Sequence, residues 1–226
     1  MSSSSWAALE SNPDVFNALM LKLGVPSEWS VHDVYSFDDD MLAMIPQPVK
    51  ALQMVFHMDA KEGETFTAPE GGEPIEGPFY LEQTAELPNA CGTIALIHSV
   101  ANVDILPSDA LLTRFIAQVQ SADRTARGNA LANNAELRDL HNSLVEHGQS
   151  AVIGNDEEVK CHFLSLVPFN GNVVELDGAL RTTPINRGAI EPGETFLQAA
   201  ARIIKRDWMK GDSIQFAVTA IAPAAE

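Results

Sequence analysis

Residues 161–178 read CHFLSLVPFNGNVVELDG. Two apolar runs flank Asn170-Gly171, and Asn-Gly between such runs is a strong signal for a two-residue hairpin turn of type I′. With those two residues as the loop, position 169 pairs with 172 and position 164 pairs with 177. Asp177 then shares a sheet face with His162, one diagonal step away. Diagonal neighbours lie about 7–8 Å apart at the backbone, close enough for an Asp–His hydrogen bond. The hairpin alone thus offers a base and a group to orient it. The same pair is equally what a purely structural contact on an exposed face would look like. The rest of the chain decides between the two, by supplying a nucleophile or not.

Residues 83–93, QTAELPNACGT, carry one of only two cysteines, and IALIHSV follows. Pro88 and Asn89 punctuate the chain, and the residues after Cys91 make a good helix, so Cys91 falls in a first helical turn. Backbone N–H groups and the helix dipole at that position favour a thiolate. Cys161 instead heads an apolar strand and reads as a core thiol. Six histidines could serve as base. His98 lies on the Cys91 helix and on nearly the same face, but about 10 Å away along the axis, out of reach. His32, His57, His141 and His147 sit among polar or helical neighbours and read as packing or surface residues. An oxyanion needs donors aimed at the developing charge. The Cys91 N–H is one, and the amide of Gln83 is a candidate for another.

Helical spacing recurs at 12–24, with Asn12 and Pro13 as start signals, and at 36–45 with Ser36 as cap. It recurs again at 91–102, 108–121, about 134–146 and 194–207. ALQMVFHM (51–58) reads as a strand, as do CHFLSLVPF, NVVELDG, RTTPINRG and the closing SIQFAVTAIA (213–222). Residues 60–78, rich in Gly, Pro and Glu, read as a mobile acidic surface loop, and 148–159 as a second loop. The order is that of an α+β fold and not of a βαβ repeat. One domain over 1–226 is expected, with no internal repeat.

Composition narrows the function classes. The chain of 226 residues carries 31 acids against 14 bases, a formal net charge of −17. Such a surface repels nucleic acid and anionic lipid and favours a basic partner, although many proteins are acidic for solubility alone. No basic stripe interleaved with aromatics appears, so neither nucleic acid nor membrane is expected as a partner. No apolar run approaches the roughly 18 residues of a membrane helix. MSSSSWAALE lacks the basic and apolar regions of a secretory signal, and two cysteines make no disulfide framework. A cytoplasmic location is expected. No Cys/His spacing fits zinc, and EGGEPIEG lacks the spacing of a phosphate loop.

Taken together, QT…NACGT…LIH, then HF, then ELDG and PINRG, resemble the ubiquitin C-terminal hydrolases. WAALESNPDVFNALMLKLGV and WSVHDVYSFDDDMLAMIPQPVKAL extend the resemblance toward the N-terminus, and it covers about Trp6 to Ala222. It implies the short, single-domain class and a papain-like α+β fold with a knotted backbone. It also implies a crossover loop at about 147–159 arching over the site. By the same resemblance Cys91 is the nucleophile, His162 the general base and acid, Asp177 its orienter and Gln83 the oxyanion glutamine. AELP makes the Gln83-to-Cys91 spacing two residues longer than in close relatives. Glu10, Asp14 and Asp33 match acids that receive the arginine-bearing tail of ubiquitin. Each also reads as an ordinary helix-start or solvated acid. The implied reaction releases small adducts, peptides or unfolded tails from the C-terminal glycine of ubiquitin, by a monomer with no metal or cofactor. A ubiquitin-binding module with slow turnover, and a hydrolase of another ubiquitin-like modifier, are the rival readings.

Overall fold

Asn12 opens the first helix, α1 (Pro13–Leu23), by accepting the Asp14 N–H at 2.9 Å, and Pro13 occupies its first turn. Gly24, at φ 97°, closes it. A Cβ there would also lie 2.7 Å from that of Ala110, so glycine is required twice over. The molecule is seen as a computed structural model, and the structure describes residues 6–57, 69–145, 161–209 and 216–225. Strand β1 (Trp29–Asp33) follows α1, and then α2 (Asp39–Leu42). The latter is shorter than the helix expected over 36–45, and Asp38 is its cap residue where Ser36 was expected. The Ser36 hydroxyl donates instead to the Asp38 carboxylate, at 2.8 Å. Ile45 precedes Pro46, and a residue before proline is biased away from helical backbone, so the pattern cannot continue.

Strand β2 spans Ala51–His57, and β3 (Glu73–Pro74) forms within the stretch read as loop. Four helices then run in succession: α3 (Cys91–Ala101), α4 (Leu111–Val119), α5 (Arg124–Ala132) and α6 (Ala135–Val145). Helix α5 was not anticipated, although Asp123 caps it by accepting the Ala126 N–H at 2.8 Å. Gly128 obscured it. The glycine has a packing reason, since a Cβ there would fall 2.1 Å from the Glu82 carbonyl oxygen.

The C-terminal half holds β4 (Cys161–Phe169), β5 (Asn172–Leu176), β6 (Ile185–Ala189), α7 (Phe196–Asp207) and β7 (Phe216–Pro223). Thr195 and Gln198 close a capping box at the start of α7. The strands form one sheet in the order β1-β7-β2-β4-β5-β6-β3, with every adjacent pair antiparallel. The expected third strand, RTTPINRG, begins only at Ile185, after Pro184, which has no N–H to give to a ladder.

The sheet is covered on both faces. On one, α1 and α3–α6 pack against Val31, Ala51, Phe163, Val167, Val174 and Ile221. On the other, α2 and α7 pack against Leu52, Met54, Leu164, Leu166, Val173 and Val218. Helix α3 is buried from Cys91 through Val100, so its first residue is carried into the centre of the molecule. Each Leu or Ile it buries is worth about 1.5–3 kcal/mol. No helix among the described residues is long and apolar enough to cross a membrane. The expected crossover loop at 147–159 and residues 60–68 of the expected acidic loop lie outside the described residues, as does His147.

Candidate active site

Asn170 and Gly171 both have positive φ, 48° and 74°, as a type I′ turn requires. The hairpin register runs from Phe169 opposite Asn172 to Ser165 opposite Leu176. His162 therefore stands on the face that Asp177 reaches, and its Nε2 lies 2.9 Å from each Asp177 carboxylate oxygen. Strand β5 stops at Leu176 because Asp177 turns the chain. Its Oδ1 accepts the N–H groups of Ala179 and Leu180, both at 2.9 Å. On the other side, the Phe56 ring of β2 meets the imidazole edge-on at 5.4 Å between centroids.

Cys91 is the first residue of α3, and its thiol lies beside the His162 imidazole, whose charged form it favours. With Nε2 engaged by the carboxylate, Nδ1 is the ring nitrogen left for the thiol. The three residues form a chain of contacts in the order Cys91, His162, Asp177, and all are buried, at 7%, 6% and 1% exposure. Burial pulls the His162 pKa down. The hydrogen bonds to Asp177 and Cys91 and their negative charge outweigh it and raise the value to about 9. Burial likewise pushes the Asp177 carboxyl up, but the bond and charge of His162 and the two backbone N–H groups hold it below the usual range. At neutral pH the ring is thus an imidazolium between two anion-capable groups.

Gln83 is half-buried, and its side-chain NH₂ donates to the Leu87 carbonyl at 3.1 Å. The stretch between Gln83 and Cys91 folds into consecutive turns. Leu87 N–H donates to the Thr84 carbonyl at 2.9 Å, and Ala90 N–H to the Leu87 carbonyl at 3.4 Å. Leu87, fully buried, pins the middle of this double turn, and Asn89 closes it at φ 59°. Cys161 heads β4 opposite His57, away from a helix start.

The three candidate acids lie on elements other than the triad's. Asp14 is exposed in the first turn of α1, Glu10 is half-buried just before it, and Asp33 is half-buried at the end of β1. Helix and strand are tied where the Val31 N–H donates to Asn17 Oδ1 at 2.7 Å. The exposed Tyr35 hydroxyl donates to Asp33 at 3.2 Å. Sequence reasoning passed over Tyr80 and His98, both buried beneath Asp177. A histidine inside an otherwise apolar helix was the available signal for the second.

The chain matches the model of ubiquitin carboxyl-terminal hydrolase, family 1, over residues 6–209. A Drosophila melanogaster ubiquitin carboxyl-terminal hydrolase is 37% identical over 98% of this chain and 99% of its own length. Isozyme L1 from Macaca fascicularis is 30% identical over 96% of this chain and 98% of its own. The fold is similar to that of the Trichinella spiralis UCH37 catalytic domain, solved bound to ubiquitin vinyl methyl ester. That structure has a TM-score of 0.73 and 25% identity over 98% of this chain and 96% of that one. Set beside a buried Cys–His–Asp chain on a helix start and a hairpin, these likenesses place the chain in ubiquitin carboxyl-terminal hydrolase family 1.

Proposed function

We propose that this protein is a deubiquitinating thiol hydrolase in which Cys91, His162 and Asp177 are the triad and Gln83 serves the oxyanion. The observation that carries the assignment is the imidazole of His162, held between the Cys91 thiol and the Asp177 carboxylate inside the protein. The reacting form pairs the Cys91 thiolate with the His162 imidazolium. The thiolate attacks the carbonyl carbon of the C-terminal glycine of ubiquitin. The carbonyl oxygen becomes an oxyanion that accepts from the Cys91 N–H, which a first-turn position leaves without an acceptor within the helix. The Gln83 amide is the second donor. It has two N–H groups, and Leu87 takes one. As the C–N bond breaks, His162 gives its proton to the departing amine, and a thioester remains on Cys91. His162, now neutral, takes a proton from water. The resulting hydroxide attacks the thioester, ubiquitin leaves as the free acid and gives its carboxyl proton to solvent, and the thiolate–imidazolium pair is restored.

The net charge of −17 suits a substrate whose tail carries arginines, and Glu10, Asp14 and Asp33 are the acids assigned to receive it. Ubiquitin carrying a C-terminal electrophile tests the chemistry. Peptide mapping is expected to find the adduct on Cys91, with none on Cys161, and Cys91→Ala is expected to abolish it. An adduct on Cys161, or labelling that survives Cys91→Ala, would overturn the assignment.

A further inference from the structure

His98 is fully buried on α3, two turns beyond Cys91, where it cannot touch the thiol. It nevertheless has a partner on the segment that carries Gln83, and its ring stacks on a residue bonded to Asp177. Its Nε2 accepts the Leu81 N–H at 3.1 Å, and Leu81 stands two residues before Gln83. The acceptor nitrogen carries no proton, so the ring's proton is on Nδ1. That nitrogen is buried and has no hydrogen-bond partner among the described residues, although the Leu176 main chain, next to Asp177, lies near enough to act on the ring's charge. The Tyr80 ring stacks on the imidazole at 5.0 Å between centroids and 14° between planes. The Tyr80 hydroxyl donates to the main-chain carbonyl of Asp177 itself, and shares its proton with that of Arg181 at 2.8 Å.

Two further contacts bring the same three segments together. The Gln83 N–H donates to the Gly178 carbonyl at 2.9 Å. A Cβ on Gly178 would lie 3.0 Å from the Leu81 carbonyl oxygen and 3.1 Å from Ile94 on α3. Helix α3, segment 80–83 and turn 177–181 thus meet around one imidazole. These segments carry the nucleophile, the oxyanion glutamine and the carboxylate that holds His162 charged.

We propose that His98 and Tyr80 are a positioning pair that fixes Asp177 against His162 by tying the nucleophile's helix to the main chain on both sides of the site. The proposal rests on the triad reading. Neither residue reaches the reacting atoms. His98 suits the task because burial lowers its pKa to about 4, so the acceptor lone pair on Nε2 persists at working pH. Burial, followed by the charge of Asp177, keeps the Tyr80 phenol protonated. Among the described residues, the charged neighbours that bear on the outcome are Asp177 for His98, and Asp177 and Cys91 for His162. Glu175, Glu82 and Arg124 also face Tyr80.

A pH profile separates positioning from mere stability. The variants are Tyr80→Phe, which keeps the stacked ring and removes the hydroxyl, His98→Leu, and His98→Gln, whose Oε1 can still accept from Leu81. Turnover of a ubiquitin amide is measured from pH 5 to pH 10, normalised to the sites titrated by electrophilic ubiquitin. The wild-type profile should lose activity on an alkaline limb near the His162 value of about 9. In His98→Leu and Tyr80→Phe, Asp177 is released, the limb should move toward 6.5, and kcat should fall on the order of 10- to 100-fold with KM nearly kept. His98→Gln should restore most of both. If the wild type shows its alkaline limb and both variants keep it unmoved, with only their melting temperature lowered, the pair is structural and the proposal fails. Tyr80→Phe decides the matter alone if His98→Leu does not fold. Failure of the triad itself has a different signature, since wild-type labelling would then not depend on Cys91.

Discussion

His162 holds a carboxylate on Nε2 and has the Cys91 thiol beside it, in a pocket whose burial alone would strip its charge. The raised value of about 9 shows which effect wins, and it makes Asp177 more than a hinge for the ring. Asp177→Asn leaves an amide oxygen that can accept from Nε2–H, Ala179 or Leu180, so orientation partly survives. The negative charge does not survive, and burial then prevails. The alkaline limb of kcat/KM should therefore move from about 9 toward or below 6.5 in Asp177→Asn, while kcat falls less than in His162→Ala. A limb that stays in place would mean that some other group holds the imidazolium. Most of this site was legible in the residues. Asn170-Gly171 set the hairpin register, and the register put His162 and Asp177 on one face. Pro88-Asn89 placed Cys91 at a helix start. His98 was set aside because its distance from Cys91 was the only relation considered. Its partners, the Leu81 N–H and the stacked Tyr80 ring, belong to another segment, and a helical period carries no information about those.

At the scale of elements, the readings that held are those with a local cause. Asn12-Pro13 starts α1 and Thr195 with Gln198 starts α7 because caps act within one turn. Prolines cut short the readings at 36–45 and RTTPINRG, and the other readings that slipped have tertiary causes. Gly128 is a poor helix residue tolerated because Glu82 presses against it, and β3 exists because β6 offers it an edge. The double turn between Gln83 and Cys91 belongs to the same class. Its length looked like a departure. Folded, it gives Gln83 an acceptor, the Leu87 carbonyl, and sinks the Leu87 side chain in the core. Leu87→Ala should cost about 2–5 kcal/mol of stability, as large-to-small changes at fully buried leucines do. It should also lower kcat several-fold, because the Gln83 amide loses a fixed partner, while KM stays near wild type; Gln83→Ala should cost more, roughly 10²–10³ in kcat. Steady-state kinetics on titrated sites checks both, and an unchanged kcat in Leu87→Ala would show that the turn does not orient Gln83.

For the whole molecule, two opposing pH effects set the limits of stability. His98 and His141 are buried with pKa values lowered by burial to about 4, the second between the Thr93 hydroxyl at 2.7 Å and the Ala7 carbonyl at 2.6 Å. Unfolded, both would titrate near 6.5. Between those values the unfolded chain binds more protons than the native one, so acidification from 6.5 to 4 must destabilise the fold. Each ring contributes up to about 1.4 kcal/mol per pH unit. His162 has the opposite sign. Its folded value is raised to about 9, so the stability it adds is complete below 6.5 and is lost as pH rises through 9. The two effects place the maximum near pH 6.5. Net charge pulls the other way on the acid side, because approach to the pI of about 4.6 relieves the self-repulsion of a chain at −17. Salt separates the contributions. Near 1 M, exposed charges are screened within about 3 Å, whereas buried histidines still exchange protons on unfolding. Denaturant unfolding at about 1 M salt should therefore give a free energy that falls from pH 6.5 toward pH 4 and from pH 6.5 toward pH 9. A flat acid side at high salt would mean that His98 and His141 protonate in the native state without penalty. Their bonds to Leu81, Thr93 and Ala7 would then not be the fixed contacts the structure draws.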